Sequence, residues 1–309
     1  MSVRTQRTRL FAAGVAAVSV SLALTGCSSS KSDTGSGAPN ASATVNTVKA
    51  DDKLAALVPA DIKSTGKLLV GADASYAPDE FKDDSGKVIG MDVDLATAIA
   101  AKLGLKADVQ DSGFTAIIPG IQSNKFQLGM SSFTDNKERE QVVDMVTYFN
   151  SGSAIAVKKG NPNKVDPKDL CGKKVSVQTG TTQADEIKDT RNPDCVKAGK
   201  PGIQNEGDKF DLQTDVTNAV VSGRDDAMMA DSQVVDYAIK QSGGQLEKLG
   251  DTYGVAPYGI ALAKGSKLTP AVQGAVQSLI DDGTYKQILA KWGVEAGALD
   301  KSVVNGATS

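Results

Sequence analysis

A parallel α/β fold is predicted for most of this chain, on three features of its sequence. Short apolar runs of strand length alternate with segments whose apolar residues recur at helical spacing. Hydrophobic residues make up 40% of the chain, ample for a packed core. Beyond an atypical N-terminal region lie about 250 residues, a length that suits one large or two smaller domains.

The first strand candidate is "KLLVGA" (67–72), short and apolar. "GMDVDLATAIAAKLG" then puts Leu95, Ala98, Ile99 and Leu103 on one helical face, with acids at its start and Gly104 to stop it. Further strand candidates are 107–110, 126–131, 154–158, 174–178, 226–230 and 260–263. Helical patterns recur at 115–123, 182–190, 213–222, 232–241, 270–281 and 283–291. Strands that alternate with helices pair in parallel, because the crossover helix returns the chain to the same end of the sheet. No repeat of solenoid length is visible.

The N-terminus has a different character. Arg4, Arg7 and Arg9 precede an apolar segment, Phe11 to Leu24, that is shorter than the roughly 18–20 residues a spanning helix needs. A basic start, a short apolar middle and small residues read as a secretory signal peptide, here 1–26. The segment closes on Leu24-Thr25-Gly26-Cys27, which resembles the lipobox of bacterial lipoproteins. By that resemblance Cys27 is lipidated with a diacylglyceryl group, and the chain is anchored at the extracytoplasmic face of the cell membrane; the alternative is an ordinary signal peptide with a cysteine near its cut site. Two acyl chains on one residue suffice for stable anchoring. The Ser-, Thr-, Ala- and Gly-rich stretch that follows lacks large apolar residues and reads as a flexible tether, assigned to 27–61.

Export also bears on the two remaining cysteines. Cys171 and Cys195 lie 24 positions apart in contexts without metal or redox character. In an oxidising compartment they read as a disulfide whose loop closure contributes about 3 kcal/mol on the chain-entropy view; two separate buried thiols are the alternative. The formal charge of −3 argues against nucleic acid as a partner. The chain has no histidine, which excludes Ser-His-Asp and Cys-His catalysis and most zinc chemistry.

Several segments in order carry a family resemblance: "GADASYAPDEFKDDSGKVIGMDVDLA", "MSSFTDNKERE", "GKKVSVQTGTTQ", "GRDDAMMADSQVVDYAI" and "LIDDGTYKQILAKWG". Together they resemble the amino-acid-binding proteins of ABC importers, solute-binding protein family 3, over nearly all of 62–293. The resemblance implies a two-lobed, type II periplasmic-binding-protein fold. Each lobe is a mostly parallel sheet flanked by helices, and two crossing strands near 149–153 and 253–258 act as a hinge. Lobe 1 is then discontinuous, 62–149 and 257–300, with lobe 2 at 150–256 and a C-terminal tail at 301–309. The implied function is capture of a polar or basic amino acid between closing lobes and delivery to a membrane permease. No cofactor or metal is implied, and a monomer is expected. A ligand-presenting sensor is an alternative with the same sequence features. A dehydratase on this fold is a further one, but it needs a cleft acid of raised pKa, and no glutamate occupies a matching position.

A free amino acid wants a guanidinium and N–H donors for its carboxylate and an acid for its ammonium. By resemblance Arg139 takes the carboxylate, with Ser131, Ser132 and Thr134 ahead of it on the loop after a strand. The family spacing between that threonine and the arginine is two residues, whereas here it is four. Counting forward from Thr134 therefore selects Lys137, and counting back selects Arg139, whose planar fork suits a carboxylate better. Thr181 and Thr182 open a helix and can offer N–H groups to the same carboxylate. Asp231 matches the ammonium-binding acid, although its position also suits a helix N-cap. Tyr76 and Phe114 match positions that flank the ligand side chain, and Phe114 also reads as core. Asp73 matches an acid aimed at an amide or cationic ligand end. Asp79 stands where an apolar or aromatic residue is usual, with its direction open.

Overall fold

The computed structural model describes residues 48–308. The signal peptide, Cys27 and most of the expected tether lie outside the described residues. None of the described helices is long and apolar enough to cross a membrane.

The folded region begins earlier than the tether assignment allows. Helices α1 (Asp52–Ala56) and α2 (Ala60–Thr65) are ordered elements, and Asp51 caps the first by accepting from the Lys53 and Leu54 N–H groups. Val58 is buried in the main core, with Leu54 and Ile62 packed against it. Asp51 followed by a Leu54/Val58/Ile62 spacing was the readable signal, obscured by the polar stretch before it.

The chain then runs β1 (Lys67–Ala72), β2 (Ser75–Tyr76), β3 (Glu80–Lys82), β4 (Val88–Ile89), α3 (Met91–Lys102), β5 (Lys106–Asp111), α4 (Phe114–Gln122) and β6 (Leu128–Gly129). It continues through α5 (Lys137–Val142), β7 (Val143–Lys158), β8 (Val175–Gln178), α6 (Thr182–Glu186), a π turn at Ile187–Arg191, α7 (Asn192–Lys197) and β9 (Asp208–Phe210). The last elements are α8 (Gln213–Ser222), β10 (Ala227–Asp231), α9 (Ser232–Gln241), β11 (Leu246–Ala263), α10 (Thr269–Asp281) and α11 (Thr284–Trp292).

The main sheet has the order β5-β1-β6-β11-β7-β10-β8-β9. β1 pairs in parallel with β5 and β6, and β8 pairs in parallel with β10 and β9. Between these parallel halves lie β7 and β11, antiparallel to each other. Their partnership changes along their length. The start of β7 (Val143–Phe149) pairs with the end of β11 in one lobe, and its end (Ser153–Lys158) pairs with β10 and the start of β11 in the other. The ladder slips between Leu249 and Tyr253, between Tyr253 and Ala256, and again at Tyr258/Gly259. Both strands thus cross between the lobes through a locally irregular ladder, which bends more readily than a regular one.

Each lobe buries its own core. In the first, α3, α10 and α11 cover the sheet with Leu95, Ile99, Val272, Leu279, Ile288 and Leu289, all almost fully buried. The second holds Ile155, Val157, Val175, Val177, Ile187 and Met229 around Cys195. There the Cys171 and Cys195 sulfurs are bonded, with Cα atoms 5.5 Å apart, tying the loop before β8 to α7.

Residues 301–309, expected as a tail, are not loose where they are described. Ser302 is buried and its hydroxyl donates to the Thr147 carbonyl at 2.8 Å, and Val304 forms a bridge with Val146. The segment follows the edge of β7 with few large apolar residues, so its sequence carries no hydrophobic period.

Candidate ligand-binding site

The ends of the parallel strands build the site. Asp73 follows β1, Ser131 and Ser132 come soon after β6, Gln178 ends β8 and Asp231 ends β10. Carboxyl ends of strands in open α/β sheets are where ligands bind, because helix and loop starts converge there. These residues, with Tyr76, Phe114, Thr134, Arg139, Thr181, Thr182 and Gln183, line one cavity between the lobes. All ten residues singled out from sequence are therefore brought together, and Gln178 and Gln183 join them.

Arg139 reaches the cavity, whereas Lys137 is exposed and pairs with Glu140 at 2.9 Å. Arg139 sits in the first turns of α5, whose start is capped by the Asn136 side chain accepting from the Arg139 N–H. Its guanidinium donates to the Thr134 carbonyl at 2.9 Å and, across the cleft, to the Gly180 carbonyl at 3.1 Å. It lies over the rings of Phe114 and Phe133, which are themselves stacked with centroids 4.6 Å apart. Burial lowers its pKa, and the charges of Asp185 and Asp231 work against that. Gly180 must be glycine here: its φ is +79°, and a Cβ would come within 2.8 Å of Thr115 Cγ2.

Asp231 stands at the N-cap position just before α9 but makes no side-chain capping bond. Its carboxylate turns into the cleft and accepts from Tyr76 at 2.8 Å, Tyr258 at 2.6 Å and Gln183 at 2.9 Å. Burial raises its pKa, while these donors and Arg139 hold it down. Tyr76, expected to be a flat wall, thus also carries a hydroxyl from one lobe to an acid of the other.

Asp73 is buried and well supplied with donors. Oδ1 accepts from the Ser75 N–H and hydroxyl, and Oδ2 accepts from the Phe114 N–H at 3.0 Å and from Gln178 Nε2 at 2.9 Å. Its pKa is raised by burial, against the pull of Ser75 and Phe114. The Gln178 bond again spans the cleft. Gln178 Oε1 is buried without a protein partner.

Ser131 and Ser132 line the cavity while their hydroxyls face a buried acidic group behind it. Ser131 donates to Glu80 at 2.8 Å and accepts from the Asp73 N–H, and Ser132 donates to Asp79 at 2.9 Å. Asp79, Glu80 and Asp92 are all almost fully buried. Asp79 accordingly points into this group and not into the cavity, held by Ser132 and by Gln233 Nε2 at 2.6 Å. Burial and Asp92 push its pKa well up, and burial pushes Asp92 up to about 6.

Thr181 caps α6 by accepting from the Ala184 N–H, and its hydroxyl donates to the Gln178 carbonyl. Thr182, the first residue of that helix, has an N–H with no intrahelical acceptor, as all first-turn residues do. Gln178, Gln183 and Tyr258 were missed from sequence. Gln178 and Gln183 bracket the glycine turn "QTGTTQ", and a glutamine at a buried strand end was the available signal.

Residues 68–295 match the family described as bacterial extracellular solute-binding proteins, family 3. The chain belongs to this family. An arginine-binding protein of Corynebacterium glutamicum is 36% identical over 254 residues, which cover 82% of this chain and 83% of the relative. An ancestral arginine-binding protein solved with arginine is 38% identical with a TM-score of 0.67, covering 74% of this chain and 98% of that one. A second ancestral arginine-binding protein structure, bound to glutamine, is 39% identical with a TM-score of 0.67, covering 74% and 99%. For a family 3 protein, the hydrogen bonds that join the lobes here, from Tyr76, Gln178 and Arg139, describe a closed cleft.

Proposed function

We propose that this solute-binding protein captures a cationic amino acid, arginine foremost, and delivers it to an ABC permease. One observation carries the ligand reading: two buried carboxylates, Asp73 and Asp231, share the cavity with a single guanidinium, Arg139. An amino acid's own carboxylate and ammonium balance Arg139 and Asp231, which leaves Asp73 for the side chain. A buried carboxylate is costly unless donors meet it. Asp73 has protein donors, so the remaining preference is for charge, which a guanidinium supplies while also donating to the unpartnered Gln178 Oε1.

In this reading Arg139 and the Thr182 N–H hold the ligand carboxylate, Asp231 holds its ammonium, and Phe114 and Tyr76 flank its aliphatic stem. Binding begins on one lobe, and bonds available only in the closed form shift the population toward closure. The relatives that bind arginine, and the structures holding arginine and glutamine, support the same ligand class. Calorimetry on Asp73→Asn tests the assignment. Arginine affinity is expected to fall by at least about 2 kcal/mol, the loss typical of an unpaired buried charge, with glutamine little changed. Equal losses for both ligands would contradict it.

The lipobox "LTGC" supports anchoring of this extracellular protein through Cys27. Metabolic labelling with a radioactive fatty acid should mark the wild-type chain and not Cys27→Ala. Label retained on the variant would rule the anchor site out.

A further inference from the structure

We propose that the C-terminal segment, residues 302–307, is a strap that positions Arg139 for ligand binding; this rests on the functional reading above. The segment runs along β7 and then leaves it. Thr147 exchanges hydrogen bonds with Val303, and Asn305 donates to the Met145 carbonyl at 2.7 Å and accepts from the Met145 N–H at 2.9 Å. Its last two bonds go elsewhere. The Gly306 N–H donates to Asp135 Oδ2 at 2.8 Å, and the Ala307 N–H donates to Glu140 Oε1 at 2.9 Å.

Those two acids bracket Arg139. Asp135 precedes the start of α5, and Glu140 is the next residue along it. The opposite side of the loop is fixed by the Asp135 N–H, which donates to the Pro257 carbonyl of β11 at 2.7 Å. Arg139 therefore stands on a short helix pinned by a crossing strand on one side and by the strap on the other. Without the strap, Asp135 and Glu140 lose their backbone donors, and their like charges oppose each other across the base of that helix. A guanidinium that must meet a carboxylate at fixed distance tolerates little displacement. Gly306 admits no side chain, since a Cβ there would approach Val303 Cγ2 to 2.7 Å and Thr147 Cγ2 to 2.9 Å.

The test compares the intact chain with a chain ending at Lys301, using calorimetry with L-arginine and L-glutamine as probes. Truncation should weaken the tighter probe on the order of tenfold, a coupling of the size found within one hydrogen-bonded network. In an Arg139→Lys background the same truncation should cost less than about twofold, because the group it positions is already lost. Equal fold-losses in both backgrounds overturn the proposal. Should the truncated chain fail to fold, Asp135→Ala and Asp135→Asn decide. The alanine should weaken binding, and the asparagine, which keeps an acceptor for the Gly306 N–H, should restore it. Binding unchanged by Asp135→Ala overturns the proposal. An intact chain that binds neither these probes nor any other amino acid contradicts the functional reading itself, and the strap falls with it.

Discussion

Arg139 and Lys137 are two residues apart and carry the same charge, yet their settings differ completely. Arg139 is held by two carbonyls and two aromatic faces in the cavity, whereas Lys137 is solvated beside Glu140. Arg139→Ala should therefore weaken amino-acid binding by at least about 2 kcal/mol, leaving a buried ligand carboxylate unpaired. Lys137→Ala should change it by no more than about 0.5 kcal/mol, as for an exposed pair. Isothermal titration of both variants checks this, and the reverse ranking would contradict the site. Sequence alone favours Arg139 through its chemistry, but two counting rules disagree across the lengthened loop. The direction of Asp79 was not legible at all, because it depends on Ser132 and Gln233, which are distant in sequence. Tyr258 was equally hidden: one tyrosine in a crossing strand gives no sign that its hydroxyl meets Asp231.

At the scale of elements, β3, α3 and the loop after β6 together bury Asp79, Glu80 and Asp92. Among the described residues no lysine or arginine forms an ion pair with any of the three. Tyr148 and the two serines supply donors instead. All three acids have pKa values raised chiefly by burial, Asp92 to about 6. The folded state thus holds protons more tightly than the unfolded chain. The cluster's cost is absent below the ordinary carboxylate range and grows as pH rises through about 6. Asp79→Asn keeps an oxygen for Ser132 and Gln233 and cannot ionise. Its melting temperature at pH 7.5 should exceed that of wild type by roughly a few degrees. The gap should narrow toward pH 4.5, and a gap that widens on acidification would contradict the account. Long amphipathic elements such as α8 and α9 were legible to the residue, because periodicity fixes them. Strands β2, β3 and β4 are two or three residues each, too short to show alternation. The length of β7 was missed because its middle, "NSGS", lacks apolar residues where it crosses between lobes.

At the scale of the molecule, the discontinuous lobe was invisible to pattern and entered only through family resemblance, since no local period records which lobe a strand rejoins. The bonds that join the lobes include Tyr76 and Tyr258 to Asp231, Gln178 to Asp73, Gln233 to Asp79, Arg139 to the Gly180 carbonyl and the Gln213 N–H to Ser75. Four of these six meet a carboxylate, so the charge brought by the ligand bears directly on whether closing is favourable. A second negative side chain would stand against Asp73 at a cost of several kcal/mol. The most direct measurement is isothermal titration of the wild-type chain with arginine, lysine, ornithine, glutamine, glutamate and leucine under one buffer. The tightest binding is expected for a cationic amino acid, arginine foremost, with weaker binding of glutamine and none detectable for glutamate. Tight glutamate binding, or a preference for leucine, would contradict this reading.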